Sequence, residues 1–292
     1  LVAVTHDSQA ASSAVGRDAT PIAVSIRPSA LALYVAVLSL PLVVVAVAVC
    51  VVVPALPWWL GLPIGVAVAV FLTVRRVQSA HDLVVDHIVD DRPVVDSDRF
   101  DNMVDSLTLT AGIRRPEVHV LDDPGLNALA VSRSFRHTIV VTRGLIEALS
   151  VVELEGVVAA LMVRLRNGDA ESATLATVLF GLPTIGGWYQ PVLQTVAAPV
   201  IGPLMPEARD LMADRQAVSL TRYPPGLLGA LGAVRRFGRP MTDRPQGLDA
   251  LWLIPDHLDD GTDIVASTGG SKSPAMVSRS PLDLRIAMLS EL

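Results

Sequence analysis

The chain has 292 residues, 51% of them hydrophobic, with a mean hydropathy of +0.50 and a net charge of −6. That apolarity over this length argues for residence in a membrane and against an ordinary soluble domain. Its basic residues, 22 Arg and one Lys, form no run, which excludes nucleic acid as a partner, and the lone Cys50 excludes an internal disulfide or a Cys-based metal cluster.

In chain order, residues 1–28 are polar and small-rich without apolar periodicity, and are predicted to be a disordered tail. They do not form a signal peptide, because the apolar stretch that follows is far too long for one. From Pro28 to Val74 no charge occurs over 47 positions. Two helices of about 20 residues fit that length, predicted at 31–53 and 58–74 within a transmembrane hairpin unit at 29–76. Pro54 and Pro57 break the run, and Trp58 and Trp59 suit a membrane interface. Arg17 and Arg27 precede the pair and Arg75 and Arg76 follow it, so both ends are expected in the cytoplasm, with the hairpin in the inner (plasma) membrane.

Residues 77–292 form the remaining domain. Phe100, Met103, Val104 and Leu107 mark an amphipathic helix that ends near Gly112. Short β-type runs follow at 117–123, 126–132 and 137–142, and the turn residues between them predict hairpins at both junctions. A helix opens at Ser150 with Glu153 three residues on, a capping-box pattern, and stops at Asn167-Gly168. The charge-free stretch 172–206 is cut by prolines and glycines into pieces too short to span a bilayer; a re-entrant hairpin and a layer packed on the domain both fit it. Helices are predicted at about 206–222, 225–237 and 281–291, with a polar loop at 255–280.

The order of these elements carries a resemblance. VHVLDDPGLNALAVSRSFRHTIVVTRGLIEALSVVELEGVVAALMVRLRNGD at 118–169, LMADRQAVSL at 211–220 and SRSPLDLRIAML at 278–289 together resemble the core of HtpX-like and CAAX-processing-type membrane zinc peptidases. The resemblance implies an α+β membrane protein: a two-helix transmembrane hairpin, then a mainly helical, gluzincin-type metallopeptidase-like domain with a small β-sheet. It also implies that the strand of Asn127, Ala128 and Ala130 pairs with an extended substrate or partner.

Such an enzyme needs two His one helical turn apart to bind zinc, a Glu beside the first to take a proton from the metal-bound water, and a third ligand from a later helix. Aligned on Glu153-Leu154-Glu155 and on Asn167 and Asp169, the first His position is Ala160, the base position Leu161 and the second His position Arg164. The third-ligand position falls on Met212. None supplies a zinc donor at those places, and the six His are not spaced to form a substitute set. Zinc is therefore expected to be absent, with Arg164 placing its charge where the metal would stand and pairing with Asp214 or Asp169. The expected function is a catalytically inactive, membrane-anchored pseudopeptidase, a binding or scaffolding subunit of a membrane complex or homo-oligomer. The alternatives are an active zinc-dependent membrane endopeptidase with a non-standard site, and a lipid-binding protein using 172–206.

Overall fold

The computed structural model describes residues 28–52, 57–89, 92–182, 209–242, 247–248, 250–254 and 280–292. The expected tail at 1–27, the apolar stretch from 183 to 206 and the polar loop from 255 to 279 lie outside the described residues.

Helix α1 (Pro28–Val52) and helix α2 (Gly61–Gln78) pack antiparallel after a 3-10 turn at Trp58–Leu60. Small residues set their approach. Gly61, Gly65, Ala69 and Thr73 recur every fourth residue on the buried face of α2, and a Cβ on Gly61 or Gly65 would stand 2.6 Å from the Cα of Val47 or Val43. The two backbones are thus in direct contact, an arrangement open only to residues without bulk. Among the described residues one helix, α2, is long and apolar enough to cross a membrane; the apolar run described in α1, Leu38–Ala48, is shorter. Helix α2 continues beyond the expected end at 74, through Arg75 and Arg76. There Arg76 donates from Nε to the Val178 carbonyl (3.0 Å) and from Nη2 to that of Leu182 (3.1 Å), tying the helix end to the domain.

Helix α3 (Ala80–Val89) follows at once, and helix α4 (Asp98–Ala111) buries Phe100, Val104 and Leu107 before Gly112 ends it at φ 67°. The sheet has three strands, β1 (Glu117–Leu121), β2 (Ala128–Arg133) and β3 (Arg136–Thr142), in the order β1–β3–β2. The hairpin expected between β2 and β3 is present, with Ala130 opposite Ile139. The one expected between β1 and β2 is not: β1 runs parallel to β3, with Val118 opposite Ile139. The reason lies in the Asp-Asp-Pro-Gly segment. Asp123 turns inward, accepting from the Gly125 N–H (2.6 Å) and the Thr242 N–H (3.0 Å), so the segment bonds across the domain instead of reversing the strand beside itself.

Helices α5 (Arg143–Ala148), α6 (Val151–Asn167) and α7 (Asp169–Ala176) come next, α7 running into a π turn at Thr177–Gly181. Helices α8 (Arg209–Thr221), α9 (Pro224–Phe237) and α10 (Leu282–Ser290) complete the described elements. The described residues are thus mostly helical, around a small mixed sheet. Side-chain alternation along the strands divides the core in two. Val120, Ala128, Ala130, Ile139 and Val141 face a cluster with α4, α6, α8 and α9. Leu121, Leu129, Val131 and Val140 face the other, with Ala69 of α2, Val84 of α3, Phe180 and Trp252. Helix α6 is buried almost throughout its length, so its side chains are positioned from every side.

Candidate functional site

Helix α6 starts on the expected capping box: the Ser150 N–H donates to Glu153 Oε2 (2.9 Å), and the Glu153 N–H donates to Ser150 Oγ (3.4 Å). It ends on Gly168, whose φ of 80° places it in the left-handed region that glycine enters without strain. That turn starts α7 immediately, so Arg164 from the last turn of α6 and Asp169 from the first turn of α7 converge. Helix α8 adds Arg209 and Asp210. With Ala130 of β2, Ala250 and Leu251, these four charged residues line a pocket of about 10 Å³. A cavity of that size is at the lower limit for a single water.

Two expectations about this region are corrected. Arg164 is buried, bonds to Asp210 at 2.8 Å from Nη2 to Oδ1 and acts by its charge on Asp169 in the same pocket, but Asp214 is not at this site. Asp214 belongs instead to Arg285, which grips it from Nε (2.6 Å) and Nη2 (2.8 Å) with both side chains fully buried. Met212, aligned as the third-ligand position, does not face this pocket. Met212 is 61% exposed, whereas Asp210 and Asp214, one turn apart, share the inward face of α8. The residue of α8 that meets the end of α6 is therefore Asp210. Its i, i+4 relation to Asp214 in D-L-M-A-D was the available signal, and alignment on the Ala213-Asp214 pair missed it. Ala160 and Leu161 are buried in the apolar core.

The electrostatics follow from burial. Burial pushes the Asp169 carboxyl above its usual range, against the pull of Arg209 and Arg164. Burial likewise lowers the Arg209 guanidinium, partly offset by Asp210, whose Oδ1 lies 3.9 Å from its Nε. A zinc ion, which the resemblance would place here, does not fit these residues. Arg164 and Arg209 bring two positive charges to the two carboxylates of the pocket, and neither can act as a donor to a cation. Among the described residues no group of three or more His, Cys, Asp or Glu stands together as a metal site.

Asn127, Ala128 and Ala130 are all buried, and Ala130 lines this pocket. The outer edge of β2 carries residues 252–254 of the same chain: Leu253 N–H donates to the Ala128 carbonyl at 2.6 Å, and Leu129 pairs antiparallel with Trp252.

A second polar cluster links α3 to the sheet. His81 is buried, with Nε2 at 2.8 Å from Thr138 Oγ1 and Nδ1 at 3.2 Å from Asp82. His137 Nδ1 lies 3.0 Å from Ser132 Oγ. Burial holds His137 below its ordinary value of 6.5, with Glu171 opposing and His81 and Arg114 adding to the shift. The unfolded chain therefore takes up this proton at a higher pH than the folded chain does. Stability from His137 is fully present above pH 6.5 and is lost as the pH falls below it. Thermal unfolding of the detergent-solubilised chain between pH 7.5 and 5.5 should show a falling midpoint, and His137→Gln should flatten the fall. An equal acid slope in that variant would remove His137 as its source.

A capped, buried helix, a small mixed sheet and a second helix that turns paired carboxylates inward make up the described surroundings of the pocket. The comparisons support a relationship to an HtpX-like family. It is 32% identical over 193 residues to a protein named Protease HtpX homolog from Dictyoglomus thermophilum, an overlap covering 57% of this chain and 63% of that one. It is 29% identical over 187 residues to a protein of the same name from Tropheryma whipplei, covering 54% and 63%. A Streptococcus equi subsp. zooepidemicus protein, again of that name, is 31% identical over 182 residues, covering 51% and 61%. The chain thus spans a little under two thirds of the length of these curated relatives. No protein-family model matches it.

These relatives overturn the expectation of an inactive scaffolding subunit and of a non-enzyme. Each carries the name of a protease, and those names stand against the reading as a pseudopeptidase.

Proposed function

We propose that the chain is a membrane-embedded HtpX-type protease that hydrolyses polypeptides at the Asp169–Asp210 pocket, without zinc. The observation that carries this reading is the convergence of two carboxylates in dissimilar surroundings on a space for one water, next to an edge strand. Paired carboxylates whose environments differ divide acid and base roles between them. Asp210, held by Arg164, takes a proton from the water as its oxygen attacks the peptide carbonyl carbon. Asp169, whose burial favours the protonated form, gives a proton to the amine leaving as the C–N bond breaks. Proton count and charge balance over the cycle once Asp210 returns its proton and Asp169 regains one.

The membrane part of the reading rests on apolar exposure. Leu40, Val44 and Val45 of α1 and Leu62, Phe71 and Val74 of α2 are exposed, and a bilayer is the partner that covers such a surface without cost. The two helices form a hairpin in the inner (plasma) membrane, with Arg75 and Arg76 on the cytoplasmic side, where the domain also lies. Nucleic acid is not a partner, given the acidic balance and scattered arginines.

The test uses the full chain in lipid nanodiscs with unfolded β-casein. The expected result is cleavage that persists in 1,10-phenanthroline and falls by about 100-fold or more in Asp210→Asn, the usual reach of a general base. Absence of cleavage, or cleavage abolished by the chelator, overturns the reading.

A further inference from the structure

The hairpin of β2 and β3 closes on a two-residue turn, Ser134-Phe135, with Arg133 opposite Arg136. Turns this tight are commonly built from Asn and Gly, which enter the left-handed region easily and suit solvent. Here Ser134 takes that region, at φ 56°, and an aromatic ring stands at the tip, 61% exposed. Turn chemistry gives no reason for Phe135, and the ring belongs to neither core cluster. Arg114, from the segment leading into β1, lays its guanidinium over that ring, 5.3 Å from the centre.

The tip sits against the end of the apolar helix. Going out along the hairpin, Thr138 meets His81 of α3, and Arg133 then donates from Nε to the Val77 carbonyl at 3.1 Å. The hairpin therefore points back along the chain towards α2, the helix long and apolar enough to cross a membrane, and ends beside its last turn. Acidic residues around the tip are already engaged: Asp82 by Arg136, Glu171 by Arg133, and Asp101 and Asp105 by Arg115. Glu117 stands 3.4 Å from His119 Nε2. Arg75, in the last turn of α2, and Arg114 are both exposed and stand in none of the ion pairs of the described residues. An exposed ring with unmatched arginines, where an apolar helix ends, is the composition that settles at the headgroup level of a bilayer.

We infer that the β2–β3 turn is a lipid-docking tip: Phe135 enters the headgroup layer, and Arg114 and Arg75 hold phosphates of anionic phospholipid. The inference rests on the membrane placement of α2 proposed above. Docking gives the ring the cover that water denies it. The Arg114 guanidinium keeps its face on the ring while its edge donates outward to phosphate oxygens. The tip gives the domain a contact with the bilayer besides α2, and so fixes its tilt against the membrane. It also reaches the pocket, because Arg133 holds Glu171 of α7, and Asp169 at the start of the same helix lines that pocket.

The test places a spin label on Ser134→Cys in a Cys50→Ala background, in the full chain reconstituted in nanodiscs of phosphatidylcholine with phosphatidylglycerol. Oxygen, which concentrates in lipid, and a water-soluble nickel chelate are compared as relaxing agents. The label should be more accessible to oxygen than to nickel in these anionic discs. That advantage should be lost in Phe135→Asp and reduced both in Arg114→Glu and in discs of phosphatidylcholine alone. A label that reports water in the anionic discs overturns the inference, as does an oxygen advantage that survives Phe135→Asp or is the same without phosphatidylglycerol. A label shielded from both reagents means that protein covers the tip, a second copy of the chain included, and overturns it as well. A label on Phe71→Cys, on the exposed side of α2, separates this inference from the membrane reading beneath it. Lipid at Phe71 with water at Ser134 removes the docking tip alone, whereas water at Phe71 removes the membrane placement of α2 and the inference with it.

Discussion

Asp214→Ala should lower the free energy of unfolding by about 3–5 kcal/mol, the cost of stripping one partner from a buried ion pair. Asp214 and Arg285 are both fully buried, joined by two hydrogen bonds of 2.6 and 2.8 Å. Burial works against the Arg285 charge, yet Asp214 outweighs it and the guanidinium lies above its usual value. Without Asp214, a cation would remain in the core with the Leu253 carbonyl as its described hydrogen-bond partner. The effect also reaches the site, because Arg285 comes from α10 and Leu253 from the segment lying on β2. Chemical unfolding of the solubilised chain measures the loss. The apolar double variant Asp214→Leu with Arg285→Met should recover most of it, since a well-packed hydrophobic pair often equals a buried salt bridge. A loss below about 1 kcal/mol, typical of an exposed pair, would contradict the arrangement described.

Arg164→Ala should cost about 3 kcal/mol, at the lower end of the same range, because the stranded carboxylate keeps a second cation nearby. Asp210 is 2% exposed, and Arg209 Nε stands 3.9 Å from the oxygen that Arg164 holds. The pH dependence separates this variant from Asp214→Ala. Asp169 is raised above 3.8 by burial, and Arg164 is one of the charges that restrain the rise. Removing Arg164 lifts the folded-state value further while the unfolded one stays near 3.8. A raised carboxyl contributes stability that is complete below its unfolded value and is lost as the pH climbs through the folded one. The deficit of Arg164→Ala should therefore be larger at pH 7 than at pH 5, measured by unfolding at each pH. A deficit that grows on acidification would contradict the placement of Asp169 beside Arg164.

Much of the local structure was legible because it depends on neighbours in sequence. The face of Phe100, Val104 and Leu107, the stop at Gly112, the Ser150–Glu153 cap and the Gly168 turn all appear where the pattern placed them. Each is decided within one or two helical turns by periodicity and by a residue's own backbone preference.

The site was less legible. Capping and spacing put Arg164 at the end of a buried helix and required a carboxylate near it. Which carboxylate depended on how α8 is rotated about its axis, and only packing against α6 sets that rotation. It turned Asp210 and Asp214 inward, gave them to different arginines and left Met212 outside. The parallel pairing of β1 with β3 was hidden for a similar reason, because the Asp123 side chain bonds to Thr242, 119 residues away.

The sequence by itself determined the apolar helices, the strands, the caps and the family's order of elements, all written in short-range periodicity and turn chemistry. Only the tertiary structure decided that Asp210 is the residue facing Arg164, and that Trp252 bridges to Leu129 at the edge of β2. Partners so distant in the chain are chosen by the closing of the whole core: buried charges must find counter-charges and an open strand edge must find a strand, and no local pattern records which.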